Sequence, residues 1–244
     1  MAKKLRPRTG RATSAHCGYS RRVDSVNVGL GKLDLSRVGL FPLPDVVLFP
    51  SQILALHVFE PRYRRLIRDV IAQHLTLAVP RLKPGFDSAY YGAPPVFEIC
   101  GVGEIHEYSE LPDGCFNIVV RGLGRVRLIE ELGSQPYRVA RVEVPRQLPA
   151  DALVGEALRA ELVKQIRRIA PHLHGPAQNL EARLNTDVGS SADIVAGTLI
   201  EDPDLRQQLL EELDPCRRSS WLIAHLHRQA RELASPQPAR ETWN

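Results

Sequence analysis

The chain has 244 residues, of which 43% are hydrophobic and 25% are charged, and this composition is typical of globular proteins. The length suits one large domain or two smaller ones. No stretch approaches the roughly 18 consecutive apolar residues that a membrane-spanning helix needs, which argues against an integral membrane protein. The basic N-terminus lacks a following apolar segment, so we expect no secretory signal and a cytoplasmic location.

The net charge of +4 is unevenly distributed along the chain. Residues 1–37 hold nine basic and two acidic residues, which gives +7, whereas the other 23 basic and 26 acidic residues give −3. A basic nucleic-acid-binding face is therefore not expected on the body of the protein. Residues 1–36 have few large apolar side chains and no periodicity, which predicts a disordered basic tail, and residues 235–244 are predicted to form a polar tail. The basic tail is either simply solvated or an arm that contacts RNA, DNA or an acidic partner.

From Val38 onward, short apolar runs alternate with prolines, which predicts extended segments or edge strands. Residues 53–59 form a longer apolar run that predicts a strand. Pro61 then suits the first turn of a helix. The positions that follow at helical spacing predict an amphipathic helix with one buried stripe: Tyr63, Leu66, Ile67, Val70 and Ile71.

A series of short strands is predicted after this helix. The turn Leu111-Pro112-Asp113-Gly114 combines a proline that presets φ with a glycine that accepts positive φ, so it predicts a hairpin. Glycines within the strands suggest bulges or bends. Many short strands around one helix predict a small closed or half-closed barrel. The predicted strands are 75–79, 96–105, 116–120, 125–129 and 137–144.

After Pro149 the hydrophobic period changes from 2 to about 3.6, which predicts helices. Ser190–Asp193 suits the start of a short helix, and Asp202-Pro203 and Asp214-Pro215 each offer an N-cap followed by a first-turn proline. We therefore predict an α+β protein with a β domain at 37–148 and a helical bundle at 149–234. The predicted helix face after Pro149 consists of Val154, Leu158, Leu162, Ile166, Ile169 and Leu173.

Four segments of the β domain resemble, in the correct order, the Lon N-terminal domain family, and two segments of the helical half resemble its helices. The resemblance covers about 38–234, and the ordered combination is specific although each motif alone is weak. The segments are 40–50, 56–64, 111–114 and 120–127, followed by 191–196 and 208–214.

The resemblance implies a PUA-like β pseudo-barrel with one amphipathic helix, followed by an α-helical bundle, in a stand-alone substrate-binding domain protein of protein quality control. The implied partners are unfolded or tagged polypeptides, a separate protease or ATPase, and a second copy through self-association. It also points to family-motif positions that are structural or contact peptide. These are Phe41, Pro42, Leu43, Pro50, Phe59, Glu60, Pro61, Arg62, Tyr63, Gly114, Gly122 and Arg125.

The motifs for ATP-driven proteolysis are not found in the sequence. A P-loop needs Gly-x-x-x-x-Gly-Lys-Ser/Thr, because its backbone amides and lysine hold phosphates. Lys32 alone among the five lysines follows a glycine, and Val26 stands where the first glycine is required. The Ser–Lys peptidase domain of Lon proteases is likewise expected to be absent. We therefore expect no enzyme activity, no catalytic residues and no cofactor.

The cysteines and histidines do not indicate a metal site. The four cysteines contain no Cys-x-x-Cys pair, and the histidine pairs at 172/174 and 225/227 are spaced by two, which separates them on a helix. Three function hypotheses follow: a non-catalytic polypeptide-binding module such as an adaptor or chaperone-like factor, a nucleic-acid-binding PUA-like protein, and a cryptic hydrolase. A Cys100 or Cys115 within hydrogen-bond reach of a histidine would favour the third.

Overall fold

A computed structural model describes residues 3–4, 21–22, 33–73, 75–86, 92–133, 136–184 and 186–234. Most of the predicted basic tail and all of the polar tail at 235–244 lie outside these described residues. The strands are β1 (Lys3–Lys4), β2 (Arg21–Arg22), β3 (Val38–Leu40), β4 (Ile53–Val58), β5 (Leu77–Val79), β6 (Ile99–Glu110), β7 (Phe116–Gly133) and β8 (Val139–Glu143). The helices are α1 (Pro61–Gln73), α2 (Ala152–Ile169), α3 (Val188–Leu199), α4 (Pro203–Glu211) and α5 (Pro215–Ala234).

The chain divides into two compact units. The β-rich unit comprises Met1–Arg146 and Glu201–Glu211, and the helical unit comprises Gln147–Ile200 and Glu212–Asn244. Helix α4 therefore belongs to the β-rich unit, although its sequence position lies inside the predicted helical segment 149–234. The reason is a set of buried polar contacts. The side chains of Arg206 and Gln207 in α4 donate hydrogen bonds to backbone carbonyls of the β-rich unit.

The strands of the β-rich unit close into a barrel, and the predicted α+β class is confirmed. Strand β7 pairs with β8, which pairs with β3, then β5, then β6, and β6 pairs back with β7. Only the β3–β5 pair of this ring is parallel. Strand β4 lies outside the ring and pairs with residues 116–121 of β7.

Strand β7 is one continuous strand, so the prediction of two separate strands at 116–120 and 125–129 is wrong. The glycine at 122 does not interrupt the strand. A Cβ on Gly122 would lie 2.0 Å from the carbonyl oxygen of Phe49, so the glycine allows a neighbouring backbone to approach. The predicted irregularity in β6 is present as a register shift between Val102 and Gly103.

Helix α1 packs against the sheet through the stripe that its sequence period predicts. Its buried residues are Tyr63, Leu66, Ile67 and Val70. They join the main hydrophobic cluster together with inward-facing residues of β4 and β7, and Ile71 packs against that cluster at partial exposure. Burial of such a stripe supplies most of the stability of a helix of this length.

Half of the six positions predicted for the face of α2 are buried, while Leu158 and Leu173 are half-buried and Leu173 lies beyond the end of α2 at Ile169. Leu162, Ile166 and Ile169 are buried, but Val154 is 50% exposed. The buried face passes instead through Gly155, where an added Cβ would lie 3.2 Å from Val188. Helix α2 begins after Asp151, whose side chain accepts hydrogen bonds from two backbone amides of the first turn.

Helices α3 and α5 are joined by a buried ion pair. Asp187 caps α3 by accepting from the Ser190 amide at 2.9 Å, so α3 starts two residues before the predicted Ser190. Within α3, the Asp193 carboxylate lies 3.1 Å from the Arg218 guanidinium of α5, and both side chains are almost fully buried.

Among the described residues, no helix is both long and apolar enough to cross a membrane.

Candidate functional site

A cleft opens between the second half of α1 and the tip of the β6–β7 hairpin. Its volume is about 340 Å³, within the range of protein sites that hold small molecules or peptide side chains. We call it the α1 cleft. Its lining residues are Arg68, Ile71, Ala72, Tyr108, Ser109, Glu110 and Phe116.

The hairpin tip is shaped by the turn that the sequence predicts. Gly114 adopts a φ of 77°, which favours glycine. The Gly114 amide donates to the Leu111 carbonyl at 2.9 Å, and the Leu111 amide donates to the Cys115 carbonyl at 2.8 Å. The Asp113 carboxylate accepts from the Cys115 amide at 2.9 Å, which holds the pKa of Asp113 below its usual value.

Two arginines of α1 hold this tip against the helix. Arg64 donates to the Asp113 carbonyl at 3.0 Å, and Arg68 donates to the Glu110 carboxylate at 2.7 Å. The Arg68 guanidinium also lies 5.2 Å from the centre of the Phe116 ring, within cation–π range. The α1 cleft therefore combines apolar lining residues with polar ones, and an exposed ion pair lies at its rim.

The opposite face of the same sheet carries a second, shallow depression of about 100 Å³. It lies over the three strands β4, β7 and β6. His57 and Asn117 form a cross-strand hydrogen bond of 2.8 Å there, and Phe59 stacks on His57 with a ring separation of 6.1 Å. We call the outward residues of this face the platform: Ala55, His57, Glu107, Ser109, Asn117 and Val119.

The motif residues at the start of α1 mostly make structural contacts. The Glu60 carbonyl accepts from the Tyr63 amide at 3.0 Å, and the Glu60 carboxylate accepts from Arg62 at 3.0 Å. Tyr63 is 5% exposed and packs on Phe41 with a ring separation of 4.7 Å. Burial raises the pKa of Tyr63, so its hydroxyl stays neutral. Phe59, by contrast, is 39% exposed.

The remaining motif residues are distributed over the fold rather than gathered in one site. Phe41, Pro42 and Leu43 are buried, Pro50 is half-buried, Pro61 begins α1 at the surface, and Gly122 and Arg125 are buried in β7. Of the twelve predicted positions, Gly114 lies beside the α1 cleft, and Phe59 lies beside the platform. None of the seven residues that line the cleft was predicted as a site residue, because Arg68 and Ile71 follow an ordinary helical pattern and Tyr108 an ordinary strand pattern.

Buried polar side chains anchor α4 to the barrel. Arg206 donates to the Val47 carbonyl at 2.7 Å, and burial lowers its pKa to about 10. Gln207 donates to a carbonyl of β6 at 3.0 Å, and Arg125 donates to the Leu210 carbonyl at 2.9 Å. Arg125 is 2% exposed, so this motif residue stabilises the fold.

Cys100 and Cys115 lack the features of a nucleophile. Burial raises the pKa of Cys100 to about 12. The pKa of Cys115 is also raised, mainly by burial and to a smaller extent by the hydrogen bond with Asp113. A reactive thiol needs the opposite shift, because the thiolate is the attacking form. Within the described part of the chain, no group of three or more His, Cys, Asp or Glu could hold a metal ion.

We expect alkylation to follow these environments. Treatment of the folded protein with iodoacetamide at pH 8 should modify the half-buried Cys216 before Cys100 and Cys115, because the buried thiols remain protonated. Mass spectrometry of tryptic peptides over time measures the order. Faster modification of Cys100 than of Cys216 would contradict this account and would revive the hydrolase hypothesis.

Comparison with known proteins identifies relatives of most of the chain. The model of the family described as the ATP-dependent protease La (LON) substrate-binding domain matches residues 37–228. Lon protease 2 of Sorangium cellulosum is 25% identical over 80% of this chain, and Lon protease of Trichlorobacter lovleyi is 29% identical over 73%. The chain spans about a quarter of the length of these relatives.

Two solved structures share the fold. The N-terminal domain of a Mycobacterium avium complex Lon protease covers 79% of this chain and 98% of its own, with a TM-score of 0.60 at 22% identity. The Lon N-terminal domain protein from Xanthomonas campestris covers 78% of this chain and 98% of its own, with a TM-score of 0.56 at 23% identity. At these identities the likeness concerns the fold.

Proposed function

We propose that this chain, which belongs to the family of ATP-dependent protease La (LON) substrate-binding domains, binds polypeptides non-catalytically. We further propose that the polypeptides bind in the α1 cleft. The single observation that supports the location is the cleft itself. Its walls from Ile71, Ala72, Tyr108 and Phe116 suit an apolar side chain of an unfolded segment. The Arg68–Glu110 pair at the rim offers charges to the backbone or to polar neighbours of that side chain.

The size of the cleft favours a short segment over a folded surface. About 340 Å³ accommodates one or two side chains, whereas a stable folded partner needs a much larger interface. An unfolded polypeptide exposes many such side chains and binds repeatedly and weakly. A module of this kind would capture unfolded chains without recognising one sequence.

Blocking the cleft should weaken polypeptide binding. Ala72 is exposed on the cleft wall, so Ala72→Arg fills the cleft without entering the core. We expect the affinity for fluorescein-labelled, reduced and carboxymethylated α-lactalbumin to fall about tenfold, equivalent to about 1.4 kcal/mol. Fluorescence anisotropy of the full chain measures it.

The matched control is Gln73→Arg, which adds the same charge at the next exposed position of α1, outside the lining of the cleft. It should leave the affinity within about twofold of the wild type, which is about 0.4 kcal/mol. An equal effect of both variants would place binding elsewhere. Failure of the wild type to bind the probe would contradict the proposed function itself.

We further propose that the chain acts as an adaptor or chaperone-like factor in the cytoplasm, handing bound polypeptide to a separate protease or ATPase. The two relatives described above support that role, because they are Lon proteases in which this region forms about a quarter of the length. Co-purification of an ATPase with the full chain from native cells, identified by mass spectrometry, would support it. Recovery of unfolded polypeptides with no ATPase would restrict the role to holding.

A further inference from the structure

Two short pieces of the N-terminal region lie on opposite edges of one three-stranded sheet. Strand β1 pairs with β4, and strand β2 pairs with the distal half of β6, while β7 lies between β4 and β6. Both pieces pair with the sheet at the same position along its strands. One continuous row of paired residues runs Lys4, Leu56, Ile118, Tyr108 and Arg21.

These edges have no other strand partner within the described residues. Strand β5 covers β6 only at Gly101–Gly103, which leaves the edge of residues 104–110 to β2 alone. The outer edge of β4 is paired by β1 alone. An edge strand presents unpaired N–H and C=O groups, so it is a template on which an extended backbone can add.

The charge at the β6 edge is complementary to the segment that occupies it. The last seven residues of β6 carry three carboxylates, of which Glu104 pairs with Arg121 and Glu110 with Arg68, so Glu107 is the carboxylate that faces the occupying strand in register. The strand that occupies this edge is Arg21–Arg22, and Arg22 stands in register with Glu107. Residues 1–37 carry +7 against −3 for the remaining residues.

The position of these edges connects them to both faces of the sheet. Tyr108, which is in register with Arg21, lines the α1 cleft and also the depression on the platform. A strand added at this edge therefore continues the wall of the cleft. A bound polypeptide could place a side chain in the cleft and its backbone on the edge.

We infer that the outer edge of β6 at residues 104–110, with the matching edge of β4, is a β-strand addition site for extended polypeptides that carry paired basic residues. The chain's own N-terminal segment occupies the site in cis and competes with substrate. The inference rests on the proposed polypeptide-binding function and specifies its substrate class: an extended basic segment.

Freeing the edge should expose this site to a peptide in trans. In the full chain, Arg21→Pro with Arg22→Pro removes two backbone N–H donors and the strand geometry of β2. The probe is a fluorescein-labelled peptide that copies residues 18–29. We expect the proline variant to bind it at least about fivefold more tightly than the wild type, because the competing occupant is released.

The control variant is Arg21→Lys with Arg22→Lys, which keeps both the charge and the backbone donors, and it should bind the probe as the wild type does. A probe peptide with proline at both arginine positions should not bind, and one with glutamate there should bind more weakly. Equal binding of the glutamate peptide would overturn the basic substrate class. Equal affinity of the wild type and the proline variant would overturn competition in cis.

Hydrogen–deuterium exchange then locates the contact. Amides in residues 104–110 should exchange faster in the proline variant than in the lysine variant, and addition of the probe peptide should slow them again. Protection by polyuridylate RNA but not by the peptide would overturn the inference in favour of a nucleic-acid edge. Unchanged exchange at residues 104–110 would overturn it outright.

The outcome is separable from that of the α1 cleft. If Ala72→Arg abolishes binding of the unfolded protein while the proline variant changes nothing, strand addition fails and the cleft proposal stands. If the proline variant gains peptide affinity while Ala72→Arg has no effect, the edge binds polypeptide and the cleft does not.

Discussion

Replacing Gly122 by alanine should destabilise the β-rich unit by roughly 3 kcal/mol. The added Cβ would lie 2.0 Å from the Phe49 carbonyl oxygen, and both atoms are bonded directly to backbone segments that cannot easily separate. The Gly122 amide donates to the Gln52 carbonyl at 2.9 Å, and the Gly122 carbonyl accepts from the Ser51 amide at 2.8 Å. These two bonds hold the segments together, so the clash must deform one of them. Equilibrium urea unfolding followed by far-ultraviolet circular dichroism measures the loss.

Gly133→Ala is the matched control, because it makes the same change in the same strand where an added Cβ would meet no atom within 4 Å. Its free energy of unfolding should lie within about 0.5 kcal/mol of the wild type. Similar losses at the two positions would show that strand entropy, and not the close approach of Phe49, determines the role of Gly122.

Removing the buried carboxylate of α3 should destabilise the helical unit by about 3–5 kcal/mol. Asp193→Ala leaves the Arg218 guanidinium, which is 0% exposed, without the charge that lies 3.1 Å from it. An uncompensated buried cation is costly because it has lost its hydration. Tryptophan fluorescence during urea unfolding is a suitable measurement, since Trp221 lies on α5 in the same unit.

An exposed ion pair supplies the control for this variant. Glu156 pairs with Arg159 within α2, and its side chain is 65% exposed, so Glu156→Ala should leave the unfolding midpoint essentially unchanged. The double replacement Asp193→Leu with Arg218→Met should be less destabilising than Asp193→Ala alone, because it removes both charges. A double variant worse than the single one would assign the stabilisation to packing and not to charge.

Helix α4 shows where reasoning from sequence period fails. The sequence assigns this helix to the predicted helical bundle at 149–234, because apolar spacing reports a buried face and not its partner. In the structure, Arg206 and Gln207 are buried as well, and their hydrogen bonds join the helix to barrel carbonyls. From sequence alone, a charged residue on a helix is expected to face solvent. The buried hydrogen bonds of Arg206 and Gln207 therefore could not be predicted from the sequence.

The candidate binding surface illustrates the same limit. The turn 111–114 and helix α1 were both predicted, and both are present. Their meeting was not predicted, because it depends on Arg64 and Arg68 reaching the hairpin tip across more than 40 residues of sequence. The α1 cleft exists only through that long-range contact.

The sequence by itself determined the elements whose signals are local: the stripe of α1, the Asp-Pro starts of α4 and α5, the glycine of the hairpin turn, and the ordered motifs that identify the family. The tertiary structure alone decided three further features. It assigned α4 to the barrel, made Gly122 a point of backbone approach, and brought two N-terminal segments to opposite edges of the sheet formed by β4, β7 and β6. Local patterns report backbone preference and burial over a few residues, whereas these features depend on hydrogen bonds and close contacts between segments distant in the chain.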